Sequence, residues 1–247
     1  MRKALFVSVL VAGTFGASGP ALAQKLSQQW DWCNAQDSGV APDLRISNCT
    51  AIIQSGREGS KKLATAFNNR GLAYDEKGDY DHAIEDLDEA IRLNPKLVQA
   101  FNNRGVAYLG KSNYDRAIED LDEAIRLDPN FVLAFDDRCW ARAMLGEFEP
   151  ALADCNKSLQ IRSDDASALD SRGFVYLKMK NADAAISDYN AALTKNPKIA
   201  SSLYGRGIAE RMKGNISASD ADIAAATKLQ VDIADQFAKW GIPKPTQ

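Results

Sequence analysis

A repeat of 34 residues runs through most of this chain and constrains its fold more than any other feature. Residues 66–98 and 100–132 align without gaps and agree at 24 of 33 positions, and weaker copies begin at Ala134, Ala168 and Ser202. A unit of two helices this short cannot bury its own apolar face, so neighbouring units must stack into a solenoid with a long exposed surface. Such an architecture usually binds other molecules and rarely catalyses a reaction.

Each copy predicts a helix, a short turn and a second helix, here called helix A and helix B. In the first copy Phe67, Gly71 and Tyr74 are spaced to share one face of helix A, and Ala83 and Leu87 share one face of helix B. Small residues recur in one column of each helix: Gly71, Gly105, Gly173 and Gly207 in helix A, and Ala83, Ala117, Ala151, Ala185 and Ser219 in helix B. Glycine inside a helix costs about 1 kcal/mol relative to alanine. Its recurrence therefore indicates that the paired helices approach closely.

These residues resemble the tetratricopeptide repeat, through Phe67, Gly71, Tyr74, Ala83, Ala90 and Pro95 and their equivalents 34 residues further on. The resemblance covers residues 66–229, as five copies at 66–99, 100–133, 134–167, 168–201 and 202–229. Copy three departs from the pattern at Cys139 and Arg142, and copy five departs at Glu210 and Val231. The resemblance implies an all-α, right-handed superhelix of helical hairpins, a concave groove lined mainly by the A helices, and protein–protein binding. It implies no particular ligand.

The first 23 residues have the pattern of a secretory signal. Arg2 and Lys3 precede a short apolar stretch, and Ala21-Leu22-Ala23 is a small-x-small cleavage site, so the mature chain is expected to begin at Gln24. A retained membrane anchor is the alternative interpretation. The signal predicts an exported protein, periplasmic or secreted and without membrane insertion after cleavage.

The charge of the chain and the motifs it lacks exclude several classes of function. Without residues 1–23 the chain has 28 Lys and Arg against 33 Asp and Glu, a balance that disfavours nucleic acid and anionic membranes as partners. No serine-hydrolase, zinc-protease, phosphate-binding or calcium-loop motif is present, and the only histidine, His82, is interpreted as a surface residue. We predict no enzyme, catalytic residue, metal or cofactor.

The four cysteines form two groups with equal spacing, and no Cys-x-x-Cys motif occurs. Four cysteines allow three pairings. The spacing of 16 residues favours Cys33–Cys49 and Cys139–Cys155, and Cys139 stands in the glycine column, where helices come close enough for a disulfide. The alternative is four unpaired, buried cysteines.

Divergent helices are expected to cap both ends of the array. Residues 24–65 are predicted to contain an N-terminal cap, with a disulfide-linked half-copy over 26–55. Residues 230–247 are predicted to form a last helix and a frayed tail, in which Phe237 and Trp240 cover the exposed side of copy five.

Two charged columns recur at the full period. They are Arg70, Arg104, Arg138, Arg172 and Arg206 in helix A, and Asp86, Asp120, Asp154, Asp188 and Asp222 in helix B. The N-terminal half-copy lacks both members, which suggests that the columns contact each other as a structural ladder of ion pairs. A row of arginines that faces a ligand is the alternative. The sequence leaves open whether each pair forms within a copy or between copies.

The resemblance places a set of helix A residues on the inner surface: Asn68, Asn69, Asn102, Asn103, Asp136, Asp137, Trp140, Asp170 and Phe174. Paired asparagines suit the backbone of an extended peptide, the acidic residues suit a basic segment, and Trp140 with Phe174 suits an apolar anchor. The alternative is that these residues cap helices, remain hydrated or pack against a neighbouring repeat.

The main hypothesis is an exported scaffold that binds a peptide or protein segment. The other hypotheses are a helper for unfolded or translocating chains and a structural spacer in the cell envelope.

Overall fold

The computed structural model describes residues 19–35 and 39–245, which form thirteen helices and no strand. The expectation of an all-α repeat solenoid is confirmed for this part of the chain. The first eighteen residues of the predicted signal lie outside it, so export remains a prediction. Within the described ranges no helix combines the length and apolarity needed to cross a membrane.

The helices alternate between the A and B positions along the chain. In order they are α1 Gly19–Cys33, α2 Pro42–Gln54, α3 Ser60–Glu76, α4 Tyr80–Leu93, α5 Val98–Gly110, α6 Tyr114–Leu127, α7 Val132–Leu145, α8 Phe148–Ile161, α9 Ala166–Lys178, α10 Ala182–Lys195, α11 Ala200–Met212, α12 Ile216–Leu229 and α13 Ile233–Lys239. Helix α3 begins six residues before the predicted start of the first copy. The hairpins α3–α4, α5–α6, α7–α8, α9–α10 and α11–α12 correspond to the five copies.

Neighbouring hairpins nest in chain order. Each helix packs against the next one, and each odd-numbered helix also packs against the following odd-numbered helix. Among the described residues no two even-numbered helices are in contact. The odd-numbered helices therefore lie on the inside of the curve and form its concave face, with the even-numbered helices outside.

Close helix approach explains the glycine column. A Cβ atom on Gly71 would lie 2.9 Å from Leu87 Cγ and 3.1 Å from the carbonyl oxygen of Ala83, closer than side-chain carbons normally come. Leu87 and Ala83 belong to helix B of the same copy and are fully buried. The absence of a side chain in helix A is thus what allows helix B to pack against it.

The turn from helix A to helix B repeats one backbone conformation in all five copies. Its central residue has a positive φ: Gly78 (74°), Ser112 (57°), Gly146 (82°), Lys180 (60°) and Gly214 (82°). Glycine adopts this left-handed conformation without steric cost, whereas serine and lysine adopt it only at a steric cost. The backbone conformation of this turn therefore repeats every 34 residues even where the residue type changes.

Both predicted cysteine pairs lie at bonding distance. Cys33 and Cys49 join α1 to α2 with Cα atoms 5.0 Å apart, and Cys139 and Cys155 join α7 to α8 with Cα atoms 5.4 Å apart. All four cysteines are fully buried. In copy three the sulfur bridge thus occupies the space where other copies place a glycine against a leucine, tyrosine or isoleucine of helix B.

The C-terminal segment differs from the sequence prediction. Residues beyond α13 were expected to fray, but Ile242 is buried, and Ile242 and Pro243 line a cavity together with Leu177. Helix α13 starts where the next A helix would lie, in contact with α11, and then extends along the concave face. The chain therefore folds its own end into the groove.

The concave groove as a candidate functional site

The inner face is open over the first two copies, and the C-terminal segment covers it from copy three to copy five. The open part is a cavity of about 450 Å³ whose wall includes Asp75, Tyr80, Val106, Trp140 and Trp240. Asp75 and Val106 come from α3 and α5, Trp140 comes from α7, and Trp240 follows α13. The cavity thus combines aromatic, apolar and acidic groups from positions far apart in the chain.

The arginine and aspartate columns contact each other within each copy. In copy two Arg104 donates from Nε and Nη2 to the two carboxylate oxygens of Asp120, at 2.8 and 2.6 Å. The same two-bond geometry joins Arg70 to Asp86, Arg138 to Asp154, Arg172 to Asp188 and Arg206 to Asp222. The hydrogen bonds that Arg104 donates to Asp120 contribute most to the raised pKa of Arg104. These pairs lie between helices A and B, which supports the structural interpretation.

Each arginine also has a third contact, which links it to the preceding copy. Nη1 of Arg172 donates to Asn156 Oδ1 at 2.7 Å, and Nη1 of Arg206 donates to Asn190 Oδ1 at 2.7 Å. Asp88 and Asp122 accept the equivalent bonds in the earlier copies, and Thr50 accepts the bond from Arg70 at 2.9 Å. The ladder therefore fixes helix pairing within copies and stacking between copies. Sequence reasoning missed this acceptor column, although its period of 34 residues from Asp88 to Asn190 is visible.

The predicted groove asparagines bond to one another. Asn103 donates to Asn68 at 3.0 Å, Asn68 donates to Asn69 at 3.1 Å, and Asn69 donates to Asn34 at 2.8 Å. Asn102 hydrogen-bonds the carboxyl group of Asp137. The amide groups thus connect consecutive A helices, and little of their bonding capacity is directed at the open groove.

The three predicted acidic residues of the groove differ in their surroundings. Asp170 accepts hydrogen bonds from the hydroxyl groups of Ser201 and Ser202, the first at 2.8 Å. Asp136 has one buried carboxylate oxygen without a partner, and burial raises its pKa to about 6. Burial, reinforced by the charge of Asp136, raises the pKa of Asp137 to about 7. Of these three residues, Asp136 and Asp137 are thus the ones that a cation in the groove would stabilise most.

Asp75 is a fourth acidic residue of this face, and sequence reasoning missed it. Burial and the charge of Glu76 raise its pKa to about 6, and its Oδ1 atom is buried without a partner. The corresponding residue of copy two is Leu109, so no repeating column marked Asp75 as special. Its position near the end of α3 brings it into the cavity wall.

The predicted apolar anchors are already covered by the chain itself. Trp140 and Phe174 stack with their ring centroids 4.6 Å apart. Trp240 meets Trp140 edge to face at 4.8 Å, and Phe237 lies 5.9 Å from Phe174 and 4.7 Å from Tyr204. The rings of Phe237 and Trp240 therefore reach beyond copy five, where they were expected to lie, and extend to copies three and four.

No metal site is evident in the described ranges, since they hold no suitable group of three or more His, Cys, Asp or Glu side chains. His82 stacks on Tyr74 and bonds Asp79 at the exposed start of α4. Nested hairpins, an internal ion-pair ladder and a concave face together define a helical-repeat solenoid.

Comparison with known proteins identifies the type of repeat. The family model for the tetratricopeptide repeat matches residues 68–130 and 172–228. This chain is a tetratricopeptide-repeat protein. A comparison with curated protein sequences finds no match.

Solved structures share the fold at low sequence identity. A tetratricopeptide repeat protein from Parabacteroides merdae is 17% identical with a TM-score of 0.66, over 90% of this chain and 88% of that one. YrrB, described as a tetratricopeptide-repeat protein with an unusual peptide-binding site, is 20% identical with a TM-score of 0.53, over 77% of this chain and 97% of that one. MamA is 23% identical with a TM-score of 0.55, over 70% and 94%.

Proposed function

We propose that this chain is an exported scaffold whose concave groove binds an extended segment of a partner protein. The observation that carries this proposal is the cavity of about 450 Å³ between the A helices of copies one to three and Trp240. The volume lies in the range of known ligand sites, and the wall mixes aromatic and apolar side chains with polar and charged ones. A peptide-binding site in YrrB, which shares the fold, is consistent with this role.

Two buried carboxylates favour a basic partner segment, although the cavity wall also carries the cation Lys239. Asp75 and Asp136 each have a buried carboxylate oxygen without a hydrogen-bond donor. An unpaired buried acceptor is costly, and an arginine or lysine side chain placed nearby would supply the missing donors. Trp140 and Trp240 on the cavity wall would flank the apolar part of such a side chain.

Export rests on the signal pattern of residues 1–23 and on the cysteines. Disulfides persist in oxidising compartments and are rare in the cytosol. The two cysteine pairs at bonding distance support such a compartment.

Photo-crosslinking from inside the cavity tests the proposal. A benzophenone amino acid at Val106 probes the cavity wall, and the same group at the exposed Asp115 is the matched control on the outer face. We expect one dominant crosslinked partner from position 106 in the native host, and its loss in Asp75→Lys. Many partners of similar yield would instead favour a helper for unfolded chains. No crosslink from position 106 would contradict segment binding and favour a spacer.

A further inference from the structure

The C-terminal segment, residues 230–245, occupies the groove in the manner of a bound helix. Ile233 and Phe237 are almost fully buried, and Trp240 continues the same face three residues later. The spacing of four and then three residues places these side chains on one side of a helix. This is the pattern by which amphipathic helices anchor in grooves of other proteins.

The receiving surface recognises both the side chains and the end of this helix. The rings of Trp140, Phe174 and Tyr204 surround Phe237 and Trp240. Lys178 donates from Nζ to the carbonyl oxygen of Trp240 at 3.0 Å, which pairs one of the carbonyl groups that a helix leaves unbonded at its C-terminus. The surface is therefore specific for a helix of this polarity, since cationic donors suit a C-terminal end.

The segment fits this surface imperfectly. An apolar cavity of about 380 Å³ remains beside it, between Leu177, Ile208 and Met212 on one side and Ile242 and Pro243 on the other. The hydroxyl group of Tyr204 is buried without a partner, and burial lowers the pKa of Lys178. Voids and unpaired polar groups both weaken packing.

The helix itself adds little stability. Helix α13 has only seven residues, too few to be stable without tertiary contacts. A permanent cap would need to cover only α11 and α12, yet Trp240 reaches Trp140 in copy three. The position of Trp240 is therefore better explained by binding in the groove than by a need to cover the exposed end of the array.

We propose that residues 233–242 are an internal ligand that closes the C-terminal half of the groove until a partner helix replaces them. The partner segment is an amphipathic helix with bulky apolar side chains at the spacing of Ile233, Phe237 and Trp240. The inference rests on the proposed function of the groove, in which an extended segment occupies the open half. It adds a helical segment of the partner as the ligand of the C-terminal half, and the regulation of that half. Because α13 belongs to the same chain, it competes at a high effective concentration, and a partner must bind the groove more strongly to displace it.

A peptide added in trans tests this on the full-length chain. The release variant is Phe237→Ser with Trp240→Ser, and the probe is a fluorescent synthetic peptide with the native sequence of residues 230–245. We expect the peptide to bind the release variant at least tenfold more tightly than the wild type, by fluorescence anisotropy. A peptide with the same two serine substitutions is expected not to bind. Val231→Ser, at a position 86% exposed, should behave like the wild type.

Hydrogen exchange of residues 230–245 shows whether the segment has been released. Fast exchange in the release variant without peptide binding would overturn the proposal, as would a segment that remains protected despite both substitutions. If circular dichroism shows that the double variant loses helix content, Trp240→Ala is used as the release variant instead. The peptide is again expected to bind this variant more tightly than the wild type. The crosslink from Val106 is a separate measurement on the open half of the groove. Failure of either experiment therefore does not imply failure of the other.

Discussion

The guanidinium group of Arg104 forms two parallel hydrogen bonds with the carboxylate of Asp120, sixteen residues later in the same repeat. The side chains are only 20% and 8% exposed. Removal of one member of a buried ion pair leaves the other unpaired, at a cost of about 3–5 kcal/mol. Arg104→Ala is therefore expected to lower the free energy of unfolding by about that amount, measured by urea denaturation.

The matched control for that variant is the pair between Arg92 and Glu89 on the outer surface. Arg92 is 67% exposed, and exposed pairs contribute about 0–1 kcal/mol. Arg92→Ala should change the unfolding midpoint little. Equal effects of Arg104→Ala and Arg92→Ala would contradict the structural interpretation of the ladder.

Replacement of the disulfide in copy three by the residues of copy two should cost less than its deletion. Cys139→Gly with Cys155→Leu recreates the arrangement of Gly105 against Leu121, whereas Cys139→Ala with Cys155→Ala leaves space in the core. A loop of this length contributes about 3 kcal/mol through the unfolded chain, and both variants lose that term. We expect the Gly/Leu variant to melt at a higher temperature than the Ala/Ala variant. The reverse order would show that the glycine column is not a packing requirement.

Lys180 adopts a left-handed backbone conformation that glycine adopts in three of the other turns. Lys180→Gly is expected to increase the free energy of unfolding by about 0.5–1 kcal/mol, because the steric cost of the side chain exceeds the entropic cost of glycine. Gly146→Lys is the reciprocal variant and should destabilise by a similar amount. Thermal melts of both variants check this, and a Lys180→Gly protein less stable than the wild type would contradict it.

Acidic residues of the groove should make stability depend on pH. The pKa values of Asp136 and Asp137 are raised to about 6 and about 7, so the folded chain binds these protons more tightly than the unfolded chain does. The free energy of unfolding that they contribute therefore falls as the pH rises from about 4 to about 7, and levels off above that.

Replacement of Asp136 and Asp137 separates their contribution to the pH dependence of stability from that of the other acidic residues. Between pH 4.5 and pH 7.5 we expect the melting temperature of Asp136→Asn with Asp137→Asn to rise relative to that of the wild type. A constant difference between the double variant and the wild type would rule out the raised pKa values.

Much of the candidate site could be anticipated because it repeats. Arg70 and Asp86 recur together in every copy, so their contact was predictable, although their pairing within one copy was decided only by the structure. The roles of Asn68 and Asn69 were not predictable, because whether an amide faces a ligand or the next helix depends on the spacing between A helices. Asp75 had no periodic signal at all.

The sequence by itself determined the repeat, the hairpins, the columns that join them and the preferred cysteine pairs, since these depend on contacts between residues close along the chain or one period apart. The tertiary structure alone decided that Trp240 lies against Trp140 and that burial raises the pKa of Asp137. Both features arise from the curvature of the stack, which brings together side chains that no short-range pattern relates. Curvature is a sum of small rotations between successive hairpins, and the sequence pattern of a single repeat does not specify that sum.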